Sequence, residues 1–188
     1  METRFLEVKW VGRGGQGIVT ASRLLAEVAL RRGKYAISIP MFGAERRGAP
    51  VVAYNRISDE PVRRKGPVRK ADILVVADYR LLSMVNFFYE VKEKGLILFN
   101  ADRVPPPLLN ASKKVALVNA TAIALKYGLE LSGLAIVNAP LLGALIKVSS
   151  LAPLSTLKEV MKMYWGEEGG RRNFLCAKEA YEEVKYIT

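Results

Sequence analysis

Ten residues, Val11-Gly12-Arg13-Gly14-Gly15-Gln16-Gly17-Ile18-Val19-Thr20, constrain the fold more than any other stretch. An apolar run over residues 5–11 leads into them. Beyond them Ile18, Ala21, Leu25, Val28 and Ala29 recur at helix spacing, with Arg and Glu between. A strand therefore ends, a glycine loop turns and a helix begins. Gly12, Gly14 and Gly17 satisfy G-x-G-x-x-G. Glycine tolerates positive φ and lets a ligand approach the backbone. The helix start offers N–H groups and a partial positive charge. Such a loop suits a phosphate; a tight turn with no ligand is the plainer reading.

Composition limits the chemistry. Cys176 is the single cysteine and there is no histidine. A disulfide within the chain is excluded. So are a Cys/His zinc site, an iron–sulfur cluster held by this chain alone, and imidazole base catalysis. No run approaches the roughly 18 apolar residues of a membrane helix, and the first residues lack a signal-peptide pattern. The expectation is a cytoplasmic protein with no metal, no membrane contact and no catalytic residue of its own. The net charge is +11. Residues 1–70 hold 15 Lys/Arg against 6 Asp/Glu, so the positive field is concentrated there and favours an anionic partner. The basic run Arg63-Arg64-Lys65 with Arg69-Lys70 has no interleaved aromatics, so it lacks a stacking platform for single-stranded nucleic acid.

Along the chain, residues 35–39 read as a second strand closed by Pro40. A dinucleotide site normally places an acid at the end of this strand to hold a ribose hydroxyl. Ser38, Ile39, Pro40 and Met41 stand there instead, which counts against a nicotinamide cofactor. The loop Phe42-Gly43-Ala44-Glu45-Arg46-Arg47-Gly48-Ala49-Pro50 follows. Its arginine forks suit phosphate or carboxylate, and Glu45 paired with an arginine is the structural alternative. Loops beyond the carboxyl ends of neighbouring strands lie together, so this loop is expected to reach the first. Residues 51–57 alternate, turn at 58–61 and resume at Val62-Arg63, which predicts an inserted hairpin. Residues 73–77, 96–99 and 115–118 read as buried parallel strands. Helices are predicted over 80–90, with Asp78 as its cap or, alternatively, facing a ligand, over 121–126, from Asn138 as N-cap to 148, from Pro153, and over 172–185. The expected class is α/β: one domain over residues 1–188, three-layer and Rossmann-like, with a mainly parallel sheet and an inserted β-hairpin.

The two loops together carry a resemblance. The first, with Thr20-Ala21, and the second, through Val51, resemble the gamma subunit of 2-oxoacid:ferredoxin oxidoreductases, most closely the pyruvate-type enzymes. Supporting segments follow in order: Arg56-Ile57 with Pro61, residues 72–78, Val118-Asn119-Ala120-Thr121 with Ala124, Asn138 with Leu142-Gly143-Ala144, and Asn173 with Ala177, Ala180 and Tyr181. Asn119 stands where the family often has Asp, and Ala139-Pro140 where it often has a polar residue. Glu45-Arg46-Arg47-Gly48 favours the pyruvate type over indolepyruvate-type enzymes. Branched-chain 2-oxoacid enzymes share a similar gamma chain.

The resemblance implies that a 2-oxoacid and coenzyme A give acyl-CoA and carbon dioxide, with two electrons passing to ferredoxin. Thiamine diphosphate and 4Fe–4S clusters would lie on alpha, beta and delta partner subunits, with ferredoxin contacted only through them. This chain, inactive alone, would serve the coenzyme A end of the active site and the assembly. Its binding residues would be Gly12, Arg13, Gly14, Gly15, Gln16 and Gly17 in the first loop, with Glu45, Arg46, Arg47 and Gly48 in the second. A Rossmann-like nucleotide-binding domain, a nucleic-acid-binding module and a purely structural subunit are the alternatives.

Overall fold

A computed structural model describes residues 5–41, 48–83, 87–104 and 113–187. Strand β1 (Leu6–Arg13) runs into the glycine loop, and helix α1 (Ile18–Arg31) leaves it. Strands β2 (Tyr35–Met41), β3 (Pro50–Ser58), β4 (Ala71–Val76), β5 (Val91–Asn100) and β6 (Lys114–Val118) follow. Then come α2 (Ala120–Lys126), the small hairpin β7 (Glu130–Leu131) and β8 (Leu134–Ala135), α3 (Asn138–Ser149), α4 (Leu154–Glu183) and β9 (Lys185–Tyr186).

Seven strands form one sheet in the order β2-β3-β1-β4-β5-β6-β9. Its centre, β1-β4-β5-β6, is parallel; β3, β2 and β9 add antiparallel at the sides. The central strands are apolar on both faces, and alternation sorts their side chains. Val8, Trp10, Ile73, Val75, Leu96, Leu98, Ala116 and Val118 join the core under the four helices. Val11, Leu74, Val76, Ile97, Phe99, Val115 and Leu117 form a second core on the opposite face with Leu81. Leu81 belongs to a 3-10 turn, Tyr79–Ser83, which with helices and sheet makes the third, thinner layer.

Four sequence expectations change. The inserted hairpin exists, but its strands are β2 and β3, and β3 also pairs with β1, Arg13 facing Pro50. Val62-Arg63 is not a strand. The buried Arg56 guanidinium takes the carbonyls of Arg64, Gly66 and Pro67, so that segment's backbone is held by a side chain instead of a ladder. Residues 80–90 form no continuous α-helix: 3-10 turns occupy Tyr79–Ser83 and Phe87–Glu90. Asn138 is the first residue of α3, not its cap, and its Oδ1 accepts from the Ala139 N–H. The last two predicted helices are both in α4, separated at Gly166, where φ is 73° and ψ −174°. The second half starts earlier than residue 172. Gly169 and Gly170 are helical, and a Cβ on Gly170 would lie 2.5 Å from the Lys162 Cα, so the close approach there requires glycine.

Candidate functional site

The glycine loop is shaped by its own neighbours. A Cβ on Gly12 would meet the Ile18 side chain at 2.6 Å and Gln16 Oε1 at 2.9 Å. Gly17 has φ +81° and would meet Asn138 at 2.7 Å. Gly15 has φ +97°, and its Cβ would meet Leu134 at 2.8 Å. A side chain at Gly15 is thus strained by the backbone and aimed at the β7–β8 hairpin. Gly15→Val would therefore disturb the loop whether or not a ligand is bound. Gln16 is buried; its Oε1 accepts from the Arg13 N–H at 2.7 Å, and its Nε2 faces the Ala77 carbonyl at 3.5 Å. It positions the loop through the backbone.

The two predicted loops do meet at the end of the second that is described. Gly14 N–H donates to the Ala49 carbonyl at 2.9 Å, and Gly48 N–H lies 3.4 Å from the Gly14 carbonyl. Arg13 Nη1 donates to the Gly48 carbonyl at 3.0 Å. The cause is antiparallel pairing of β1 with β3, which starts β3 beside the end of β1. Glu45, Arg46 and Arg47 lie outside the described residues.

A crevice of about 260 Å³ opens beside Gln16, beyond the carboxyl ends of β4, β5 and β6, the usual ligand position in such sheets. Asp78, Arg80, Asn100, Asp102, Asn119 and Thr121 line it. The sequence pointed to Asp78 first as a helix cap, with a ligand-facing role as the alternative. Its Oδ1 does accept from the Arg80 N–H at 3.0 Å, but Oδ2 also accepts from Arg13 Nε at 2.6 Å and Arg80 Nη2 at 2.8 Å. Burial pushes the Asp78 carboxyl up, yet the hydrogen bonds from Arg80 and Arg13 outweigh it and hold the group below its ordinary value. Two guanidiniums thus share one carboxylate beside the crevice, and Asp102, which also lines it, balances the second positive charge.

Asn100 was missed. Its Nδ2 donates to the Ala77 carbonyl and Thr121 Oγ1, both at 2.9 Å, and its Oδ1 accepts from the Thr121 N–H at 3.0 Å. It ties the ends of β4 and β5 to the start of α2, where Asn119 caps the helix by accepting from the Ala122 N–H. The local signal was an Asn ending an apolar strand. Cys176 is buried under the helices, and burial with the nearby Glu179 pushes its thiol up to about 12, so it is no nucleophile. Among the described residues there is no group of three or more His, Cys, Asp or Glu placed to hold a metal, and no helix long and apolar enough to cross a membrane.

Asp78→Asn is expected to lower stability by roughly 1–3 kcal/mol, the scale of hydrogen bonds to charged groups. Because the folded carboxyl is depressed, its contribution is present above the ordinary value of 3.8 and lost as pH falls through the lower folded value. Urea titrations at several pH values should therefore show a gap between wild type and variant at neutral pH that closes only in strong acid. A gap independent of pH would show that the carboxylate charge is not what holds the arginines.

The family model for pyruvate ferredoxin/flavodoxin oxidoreductase matches residues 7–183. The pyruvate/ketoisovalerate oxidoreductases common subunit gamma of Pyrococcus furiosus is 41% identical over 184 residues, covering 96% of this chain and 97% of that one. The solved pyruvate oxidoreductase subunit PORC of Thermotoga maritima superposes with a TM-score of 0.84 at 34% identity, over 98% of this chain and 99% of that one. A 2-oxoglutarate:ferredoxin oxidoreductase from Magnetococcus marinus, solved with 2-oxoglutarate, coenzyme A and succinyl-CoA bound, shares the fold at a TM-score of 0.78 and 20% identity, over 96% of this chain and 32% of that one. Full-length similarity at this level settles the descent: the chain belongs to the pyruvate ferredoxin/flavodoxin oxidoreductase family, as the gamma-type subunit of a 2-oxoacid oxidoreductase.

Proposed function

We propose that this chain, acting as one cytoplasmic domain, binds part of coenzyme A at the crevice and its adjoining loops and helps assemble the complex. That complex converts a 2-oxoacid, pyruvate in the first instance, and coenzyme A to acyl-CoA and carbon dioxide, with electrons leaving to ferredoxin. Thiamine diphosphate and the 4Fe–4S clusters are held by alpha, beta and delta subunits; the lone buried Cys176 and the lack of histidine support that division.

One observation carries the reading. The glycine loop, the end of the arginine loop and the Arg13–Asp78–Arg80 group converge beside a polar crevice at the carboxyl ends of the parallel strands. The crevice is smaller than the roughly 300–1,000 Å³ of sites that engulf a drug-sized ligand, so it takes one portion of a long polyanion. Gly12, Gly14, Gly15 and Gly17 set the backbone of the cradle. Arg13 and Gln16 position it, and Arg46 and Arg47, immediately before Gly48, supply charge, with Glu45 orienting them.

The test is Arg46→Ala/Arg47→Ala in the assembled enzyme. Two charge-assisted forks are worth roughly 1.5–3 kcal/mol each. The Michaelis constant for coenzyme A should rise at least about tenfold, with that for the 2-oxoacid unchanged. An assembled double variant with the wild-type coenzyme A constant removes the ligand role. Failure to assemble would assign the arginines to shaping the loop.

A further inference from the structure

The end of the molecule away from the crevice carries the densest charge. Five cations fall within eight residues: Arg63, Arg64, Lys65, Arg69 and Lys70. All five are exposed, and among the described residues none of their side chains bonds another side chain. No acid lies between Arg63 and Lys70. Mutual repulsion should spread such a run into solvent. Instead it is held down at two points. Arg56, 3% exposed, donates Nη1 to the carbonyls of Arg64 at 3.0 Å and Gly66 at 2.5 Å, and Nη2 to that of Pro67 at 3.0 Å. Its Nε donates to Glu7 Oε1 at 2.9 Å, which fixes the guanidinium plane. Val68, 4% exposed, is buried with Tyr54 and Ala71.

A buried arginine and a buried valine thus fix the backbone of a segment with no strand or helix of its own, and its cations stay outside. The segment joins the end of β3 to the start of β4, where Leu6 faces Ile57 at the end of β1 opposite the glycine loop. Exposed Glu93 and Lys94 of β5 and exposed Lys114 of β6 lie at the same end of the sheet and add one net positive charge.

We propose that residues 61–70 are a docking face for an acidic surface of another subunit of the complex. Charge complementarity chooses the occupant's sign, and the fixed backbone suits a permanent, registered contact. The absence of aromatic side chains among residues 61–70 disfavours single-stranded nucleic acid. This face and the coenzyme A crevice sit at opposite ends of the parallel strands, so the proposal does not rest on the ligand reading.

The test uses the co-expressed complex, purified through a tag on a partner chain. Arg63→Glu/Arg64→Glu/Lys65→Glu is compared with Arg171→Glu/Arg172→Glu, which reverses exposed charge on α4. The loop triple should weaken retention of this chain about tenfold or more and move its release to lower salt, with unfolding temperature near wild type. If the triple unfolds, Arg63→Gln/Arg64→Gln/Lys65→Gln carries the test with a smaller shift in the same direction. Wild-type retention and salt resistance in a folded loop variant overturns the proposal. Equal loss in the α4 variant also overturns it, since net charge would then be the cause. So does a loop variant that assembles normally while losing salt-dependent binding of a DNA oligonucleotide shown by wild type, which would assign the face to nucleic acid.

Discussion

Gly143→Ala is expected to destabilise this protein strongly, although the same change in an exposed helix stabilises. In mid-helix, alanine gains roughly 1 kcal/mol over glycine. At Gly143 that gain is set against a collision, because a Cβ would lie 1.9 Å from the Ala177 carbonyl oxygen, 2.6 Å from its carbon and 2.8 Å from its Cα. These are backbone atoms of α4, so no rotamer relieves the contact. The two helices must part, and Leu142, Leu145, Leu157, Val160, Met161, Cys176 and Ala180 lose close packing together. Overpacking costs roughly 1–3 kcal/mol when side chains can yield, and more when they cannot. The net loss is expected near 3 kcal/mol, a fall of roughly 6–12 °C in melting temperature for a chain of this size. Gly143→Val should leave no folded chain. Equilibrium urea unfolding decides it, and a Gly143→Ala variant as stable as wild type would mean that the helices slide apart freely.

Replacing Asn55 by leucine should cost a comparable amount by a different route. Asn55 is completely buried. Its Oδ1 accepts from Trp10 Nε1 at 2.8 Å, and its Nδ2 donates to the carbonyls of Ser22 at 2.8 Å and Ile37 at 3.2 Å. One amide therefore joins β1, β2, β3 and α1. Leucine keeps the volume but orphans the fully buried Trp10 N–H and deprives two carbonyls of a donor. An unsatisfied buried group costs roughly 1–3 kcal/mol, so about 3–4 kcal/mol is expected for the set. The diagnostic is non-additivity: with Trp10→Phe present no donor is left to orphan, so Asn55→Leu should cost 1 kcal/mol or so less. Additive losses in the cycle would show that volume, not hydrogen bonding, sets the stability here.

The sequence was most informative where neighbouring residues decide the structure. The apolar entry, glycine turn and helical stripe of Ile18, Ala21, Leu25, Val28 and Ala29 are local signals, and all five of those side chains are buried. It was least informative about partners. Alternation over residues 51–57 specifies a strand but not that β1 lies on one side and β2 on the other. Arg13 and Asp78 stand 65 residues apart and meet only because β1 and β4 are adjacent and parallel. Asn100 carried a local signal as the end of an apolar strand, but its partners Ala77 and Thr121 were not legible for the same reason. Nothing local in the alternating run 51–57 marks Arg56 as the residue that holds the carbonyls of Arg64, Gly66 and Pro67. The helix expected over 172–185 begins earlier and includes Gly169 and Gly170, where the close approach of backbone at Lys162 requires glycine at 170.

The break at Gly166 governs the order in which the interior can be completed during synthesis. The two halves of α4 double back on one another, with Gly170 against Lys162. Its second half brings Cys176, Ala177, Ala180 and then Val184 into the core under the helices. While the ribosome is still making residues before 170, the sheet can pair from β1 to β6, but the apolar side of α3 remains wet. A nascent chain in that state exposes the kind of surface that attracts chaperones or aggregates. The closing move is made by the last two turns of helix and the short edge strand β9, which pairs with β6.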